Sequence, residues 1–372
     1  MIVSSKPYPN LKTIFNKKSK DFDEKWKDFS FYKSGRDALL SGIIQLGLDK
    51  GDTIIIPGYI CESAITPLRR YGYKLIFIDI DENANLPIDK IRLALKMHTP
   101  KALIVVHYFG LTFNIEKIID MCHKFNVRVI EDCSHSFQSQ LSGNIYHNSD
   151  MEIFSMRKSL PTEDGGVLRI KTASVENAQI NNKIRSLGIS SLKYLFIRFV
   201  EWSAVNCRIN IYSPFFLKIK SIFYHPIQTS NVVNEVVTYN PSELLKSYLS
   251  DENYLSLMKS RVQENYKFLS KNLKAKGFYI PFEILSFDSV PQVFLLYDNK
   301  GGLVDFLNNK GIGAYNWPKN EMPQEIKKNS EIYPNTIHFD QTLVLLPTHQ
   351  GIKKKHTSYM VSILEEWISI DK

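Results

Sequence analysis

Short apolar runs alternate with segments whose apolar residues recur at helical spacing over the first half of the chain. Short apolar runs are typical of strands buried on both faces, and the longer segments are typical of the helices that cover such a sheet. The predicted strands are 53–56, 74–80, 103–108 and 127–130, and the predicted helices are 38–48, 61–71, 88–97 and 115–125. This alternation predicts an α/β fold with a central, mostly parallel sheet.

The pattern changes in the last third of the chain. It predicts helix through residues 243–273, two strands within 278–297, a helix at 303–310 and a last helix at 358–370. We therefore expect a large domain at residues 1–245 and a smaller α+β domain at residues 246–372. Residues 1–30 are rich in lysine and predict an arm with a short helix.

Residues 190–226 form a divergent amphipathic segment that mixes large aromatic residues with lysine and arginine. Such a segment can lie on a membrane surface. It can also form a dimer contact or a lid over a substrate, and we favour this second interpretation.

Two apolar runs end in charged residues between residues 126 and 166. The run 127–130 leads into Glu131-Asp132, and the run 151–156 leads into Arg157-Lys158. Ligands of open α/β sheets bind at the carboxyl ends of the strands, so these charges are candidates for an active site. A lysine and a carboxylate are what pyridoxal phosphate needs, for a Schiff base and for its pyridine nitrogen. Each residue alone is more typical of solvated surface or of a turn.

Composition narrows the class only in part. The chain has 372 residues, 44% of them hydrophobic, and a net charge of +9, which suits anionic substrates, nucleic acid or an acidic membrane. No nucleic-acid motif is present, so we expect no nucleic-acid partner. The four cysteines have no paired spacing, which predicts reduced thiols and no metal site. The start of the sequence lacks an apolar signal segment, so we expect a cytoplasmic protein.

A series of short motifs follows one order between residues 30 and 350. They are Ser34-Gly35, Gly51-Asp52, Ile56-Pro57, the run 77–81, the run 106–110, the run 130–135, Phe154-Ser155, Lys158, Asp164-Gly165-Gly166 and Leu346-Pro347. In this order and spacing the chain resembles the DegT/StrS-like sugar aminotransferases, which have pyridoxal-phosphate fold type I. The similarity is weakest between residues 188 and 237.

The resemblance implies a fold type I homodimer with shared active sites that binds pyridoxal phosphate. It implies that Lys158 forms the Schiff base and that Asp132 pairs with the pyridinium. His135 lies where relatives carry a residue near the phenolic oxygen. The expected phosphate contacts are Gly35, Arg36 and Ser155, with Asn240 contributed by the partner subunit, and Tyr59 is the expected substitute for an aromatic that Cys61 replaces.

The sequence departs from the family pattern at three places. Arg36 stands where relatives carry a small hydroxyl residue, and Ser155 is closer to Lys158 than is usual. The block around Asn240 lacks the arginine expected to meet a substrate diphosphate.

The resemblance implies transfer of an amino group to a keto or aldehyde carbon of an activated, nucleotide-linked sugar in surface-glycan biosynthesis. Glutamate is the donor that the family usually uses. Basic residues between 183 and 220, among them Arg185, Lys193 and Arg198, are expected to meet the phosphates of the acceptor.

Two alternative functions stay open. One is a pyridoxal-phosphate enzyme on this fold that acts on a non-sugar carbonyl. The other is a non-catalytic relative that docks on the inner membrane surface.

Overall fold

Seven strands form one sheet in a computed structural model that describes residues 1–15, 22–111, 113–142, 148–171, 188–223, 238–286 and 289–369. They are β1 (Ser30–Tyr32), β2 (Thr53–Pro57), β3 (Lys74–Ile78), β4 (Ala102–Val106), β5 (Arg128–Asp132), β6 (Met151–Ser155) and β7 (Gly166–Ile170), in the order β1-β7-β6-β5-β4-β2-β3. Strands β2 to β6 run parallel, and β7 is antiparallel to both of its neighbours. The predicted α/β class is confirmed.

Helices cover this sheet and extend beyond it. In the first half they are α1 (Leu11–Phe15), α2 (Phe22–Lys25), α3 (Gly35–Gln45), α4 (Glu62–Tyr71), α5 (Ile88–His98), α6 (Glu116–Lys124) and α7 (Phe137–Ser142). In the second half they are α8 (Gly188–Asn206), α9 (Pro214–Phe223), α10 (Glu243–Leu249), α11 (Glu252–Lys274), α12 (Leu303–Asn309), α13 (Gln324–Lys328), α14 (Pro334–Thr342) and α15 (Lys354–Ser369).

Apolar residues fill both faces of the sheet, as the uninterrupted apolar runs predicted. Ile54 and Ile56 of β2 pack in the cluster that contains Leu39 of α3, whereas Ile55 packs in the cluster that contains Ile91 of α5. Successive side chains of a strand point to opposite faces, so one run supplies two cores. Each fully buried isoleucine stabilises the fold by about 1.5–3 kcal/mol.

A small two-stranded sheet forms the core of the C-terminal part. Strand β8 (Val293–Tyr297) pairs antiparallel with β9 (Leu343–Pro347). The prediction of two strands within 278–297 is wrong, because only β8 is a strand among the described residues of that stretch. Tyr266 donates to the Phe282 carbonyl at 2.7 Å, and Ser270 donates to the Glu283 carbonyl at 3.3 Å. Side chains of α11 therefore satisfy carbonyls that a strand would have paired.

The predicted helix at 243–273 is two helices with a break at Ser250-Asp251. Asp251 caps α11, because its carboxylate accepts from the Tyr254 amide at 3.0 Å. The first half of α11 packs with the large sheet through Met258 and Val262, and its second half packs with β8 and β9 through Leu269. The proposed boundary after residue 245 stays a prediction. No helix in the described ranges has the length and apolar character needed to cross a membrane.

Candidate active site

A cleft opens at the carboxyl ends of β4, β5 and β6, which we call the inner cleft. It holds about 590 Å³ of empty space, including its open mouth. Its polar lining comprises three cations (Arg36, Arg157, Lys158), one carboxylate (Asp132), His135, Cys61 and four hydroxyls (Ser34, Ser63, Ser134, Ser155). Parallel strand ends expose side chains that the sheet body cannot. The inner cleft lies at the carboxyl edge of the sheet, where the sequence predicted a site.

The N-terminus of α3 forms one wall of the inner cleft. A Cβ on Gly35 would lie 3.3 Å from both the Ser134 Oγ and the Ser155 Cβ, so the helix end fits closely against two hydroxyl-bearing residues. A Cβ on Gly166 would lie 2.1 Å from the Ser34 carbonyl oxygen, which explains why β7 begins with glycine. A helix N-terminus beside hydroxyl groups is a favourable environment for an anion.

Ser34 is the N-cap residue of α3 but does not cap the helix with its side chain. Its hydroxyl donates to the Asp37 carboxylate at 2.7 Å, and it makes no side-chain bond to the helix amides. The first amides of α3 gain no bond from that hydroxyl.

Asp132 is the last residue of β5, and its carboxylate lines the inner cleft. The carboxylate accepts from the Ser134 amide at 2.9 Å, which fixes the loop that follows the strand. Glu131 points to the other face of the sheet, where it bonds the His107 Nε2 at 2.8 Å and the Lys171 Nζ at 3.3 Å. The two adjacent acids therefore have separate environments, one in the cleft and one in a buried polar network.

His135 is buried between two aromatic rings. Its ring stacks on Phe109 at 5.4 Å with an interplanar angle of 11°, and it meets Trp317 edge-on at 4.9 Å. Burial, and then the nearby charge of Lys158, lower the pKa of His135 well below its ordinary value, so the ring is neutral at neutral pH. Its Nδ1 is buried and has no hydrogen-bond partner in the described part of the chain.

Lys158 ends a short 3-10 turn, Met156–Lys158, that follows β6 directly. The side chain is half-buried and lines the inner cleft. Burial lowers the pKa of Lys158 below its ordinary value; Arg157 and Arg36 lower it further, and Asp132 opposes them. A lysine with a lowered pKa offers more neutral amine at neutral pH, which is the form that attacks a carbonyl.

Arg36 and Arg157 flank Lys158 in the cleft lining. Among the described residues, neither guanidinium makes a hydrogen bond or an ion pair, although the Arg157 Nε is buried. Arg157 also lines a second cleft, the outer cleft, which lies between the large sheet and the C-terminal part and holds about 1530 Å³ of empty space, including its open mouth. Two arginines that have no partner in the described ranges indicate that the inner cleft is built for anionic groups.

The structure brings together most of the predicted site residues. Gly35, Arg36, Asp132, His135, Ser155 and Lys158 all line the inner cleft. Tyr59 does not line it: the side chain is fully buried, and its hydroxyl donates to the Trp317 carbonyl at 2.5 Å. Asn240 also lies outside the inner cleft of its own chain and is exposed. Both assignments stay predictions.

The basic residues expected to meet an acceptor have different surroundings. Arg198 is buried, pairs with Glu201, and donates to the Pro7 carbonyl at 2.9 Å, so it holds the N-terminal arm against α8. It is already occupied within its own chain and suits no acceptor phosphate. Lys193 is exposed on α8, and Arg185 lies outside the described residues.

Sequence reasoning missed several residues of the cleft. Ser134 is adjacent to predicted residues, and Arg157 was a candidate by its charge but received no role. Trp317 comes from a loop far along the chain, and no local pattern places it against His135.

The residues of the inner cleft fit pyridoxal phosphate. A lysine with a lowered pKa and a carboxylate line one cavity, and a helix N-terminus packed against Ser134 and Ser155 adjoins Arg36. The cavity therefore offers an amine, an acid for a pyridine nitrogen, and a cationic, hydroxyl-rich place for a phosphate.

Comparisons with known proteins agree with this geometry. The UDP-4-amino-4-deoxy-L-arabinose–oxoglutarate aminotransferase of Shewanella sediminis is 26% identical over 152 residues, 40% of this chain and 39% of that protein. The UDP-N-acetyl-3-dehydro-alpha-D-glucosamine 3-aminotransferase of Acidithiobacillus ferrooxidans is 31% identical over 159 residues, 41% and 42% of the two chains. The chain thus aligns with about two fifths of the length of these curated relatives.

Solved structures share the whole fold at low identity. Spr1654 of Streptococcus pneumoniae in its PLP-form has a TM-score of 0.68 at 14% identity, over 98% of both chains. An aminotransferase from Brucella abortus has a TM-score of 0.67 at 15% identity, over 95% of this chain and 91% of that one. The predicted fold type I architecture is confirmed. A sequence profile matches residues 17–211, more than half of the chain, so this protein belongs to the DegT/DnrJ/EryC1/StrS aminotransferase family.

Proposed function

We propose that this protein is a pyridoxal-phosphate-dependent aminotransferase that moves an amino group from an amino acid to a carbonyl carbon of a nucleotide-linked sugar. The observation that carries the proposal is that Lys158 and Asp132 share one cleft with the N-terminus of α3. The names of the similar proteins support the sugar acceptor, since they are aminotransferases of UDP-linked sugars.

Each residue has a distinct role in this proposal. Arg36, Ser155 and the Gly35 amide would hold the phosphate of the cofactor, and Asp132 would hold its pyridine nitrogen. The cofactor, when bound, supplies an electron sink for the amino carbon. Lys158 then moves the proton at that carbon, because it is the amine of the cleft and its pKa is lowered. Neutral His135 and Trp317 enclose the site and exclude water.

We propose that the protein works as a homodimer with shared sites. Helix α8 buries the Arg198–Glu201 pair and exposes Leu192, Phe196 and Phe199, which is the reverse of an ordinary surface helix. Leu217 of α9 lines the outer cleft, so a second copy on this face would adjoin the substrate entrance. Asn240, exposed in its own chain, would contact the cofactor of the partner. The proposed location is the cytoplasm, and a membrane surface is the alternative cover for this face.

The assembly is tested with Phe196→Asp. We expect the wild-type protein to sediment as a dimer and the variant as a monomer with reduced activity, while neither binds anionic vesicles. A monomeric wild-type protein that sediments with phosphatidylglycerol vesicles would reject the dimer and support membrane docking.

The chemistry is tested by borohydride reduction of the yellow holoenzyme, followed by peptide mapping. We expect a pyridoxyl group on Lys158, and Lys158→Ala is the control that should carry none. A panel of keto-sugar nucleotides with L-glutamate as donor then identifies the acceptor. Cofactor on another lysine rejects the role of Lys158, and turnover of non-sugar carbonyls alone supports the first alternative.

A further inference from the structure

Arg157, like the adjacent Lys158, lines both the inner and the outer cleft. Its side chain is half-buried, its Nε is fully buried, and its guanidinium has no protein partner within the described ranges. A buried cationic nitrogen without a partner is costly, and the charge also disfavours the protonated form of neighbouring Lys158. An anionic ligand at this position would offset the cost of the buried nitrogen of Arg157.

Arg36 and Arg157, which have no partner among the described residues, occupy different places in the site. Arg36 follows the glycine at the N-terminus of α3 and lines the inner cleft but not the outer one. Arg157 lines the outer cleft as well. Since Arg36 already adjoins the proposed phosphate site, Arg157 remains for an anion that arrives with the substrate.

The position of Arg157 next to Lys158 in the chain narrows the choice of anion. Under the proposed function, Lys158 handles the proton on the amino-bearing carbon of the donor. The α-carboxylate of an amino acid is one bond from that carbon, whereas the phosphates of a nucleotide sugar are several bonds from its reacting carbon. A guanidinium binds a carboxylate through two parallel hydrogen bonds, which also fixes the orientation of the donor.

We infer that Arg157 binds the α-carboxylate of the amino donor and so selects amino acids as donors for this enzyme. The inference rests on the proposed function, because it assumes an amino-acid half-reaction in this cleft. The resemblance to the family assigns no role to Arg157, which the sequence marked only as a charged residue beside Lys158.

The test compares the wild-type holoenzyme with Arg157→Gln and Arg157→Lys. Calorimetry with succinate, a carboxylate that cannot donate an amino group, measures binding without turnover. We expect roughly tenfold to hundredfold weaker succinate binding in Arg157→Gln, and a smaller loss in Arg157→Lys because lysine keeps the charge without the planar fork. Arg92→Gln removes the same charge from an exposed position on α5 and should change nothing.

The half-reaction gives a second readout. Arg157→Gln should react more slowly with L-glutamate but at the wild-type rate with 1-phenylethylamine, which has no carboxylate. Unchanged succinate affinity in Arg157→Gln, or a raised acceptor KM with a normal glutamate reaction, would overturn the inference. If the wild-type protein reacts with no amino donor, the proposed function fails, while the succinate titration still decides whether Arg157 is a carboxylate site.

Discussion

Asp164 binds Ser242 through both of its carboxylate oxygens. The Ser242 amide and the Ser242 hydroxyl each donate at 2.8 Å, so the loop after Lys158 is joined to the loop that carries Asn240. Burial raises the pKa of Asp164 above its ordinary value. This contact fixes two segments that the proposed site requires, although Asp164 itself does not line the inner cleft.

We predict that Asp164→Asn loosens the Asn240 loop. An amide has a single acceptor oxygen, so one of the two bonds is lost, at a cost of about 1–3 kcal/mol in the free energy of unfolding. Cofactor should also dissociate faster, as measured by absorbance after dilution. Asp298→Asn is the matched control, because Asp298 accepts from the Leu303 amide at the start of α12, away from the inner cleft. It should lose stability and keep its cofactor; equal cofactor loss in both variants would contradict the prediction.

Asp132→Asn should separate cofactor binding from catalysis. The variant keeps the shape and the bond to the Ser134 amide but loses the negative charge. We expect cofactor to bind and the half-reaction with the amino donor to slow by roughly a hundredfold or more. Stopped-flow absorbance measures the rate, with exposed Asp89→Asn as the control. A wild-type rate in Asp132→Asn would reject the pyridinium role.

Gly166→Ala should disturb the proposed phosphate site indirectly, because it displaces the start of α3. The new Cβ would overlap the Ser34 carbonyl oxygen at 2.1 Å, so the start of α3 must move. Overpacking of this kind costs about 1–3 kcal/mol, and we expect weaker cofactor binding as well. Gly47→Ala is the control, because Gly47 has a positive φ and no neighbour within 4 Å of its Cβ position. It should be destabilised by backbone strain yet bind cofactor normally.

Asp340 should make the free energy of unfolding depend on pH, through a carboxyl group outside the inner cleft. Burial raises the pKa of this carboxyl group from 3.8 to about 6 in the folded protein. The folded state therefore binds the proton more tightly than the unfolded chain does, so this contribution to stability is complete below pH 4 and is lost as the pH rises through 6. Urea unfolding at several pH values should show this decline in the wild-type protein and a smaller decline in Asp340→Asn. Parallel curves for the two proteins would show that Asp340 does not titrate as described.

The sequence predicted the sheet and the two charges at the ends of β5 and β6, because apolar runs and the residues that end them are local features. It did not predict that Trp317 covers His135, because that contact joins segments far apart in the chain. The missing second strand within 278–297 has the same cause. Its apolar residues suit a strand, but the side chains of Tyr266 and Ser270 bind its carbonyls.

Strand β1 lies at the edge of the sheet, and β7 is its partner there. The N-terminus of α3 follows β1 and packs against β7 where Ser34 meets Gly166. During synthesis on the ribosome, the beginning of the chain therefore waits unpaired until residues 166–170 have emerged. Neither the pairing of β1 with β7 nor the proposed phosphate site at the N-terminus of α3 can form before that point. We therefore expect the cofactor to bind only after residues 166–170 have left the ribosome.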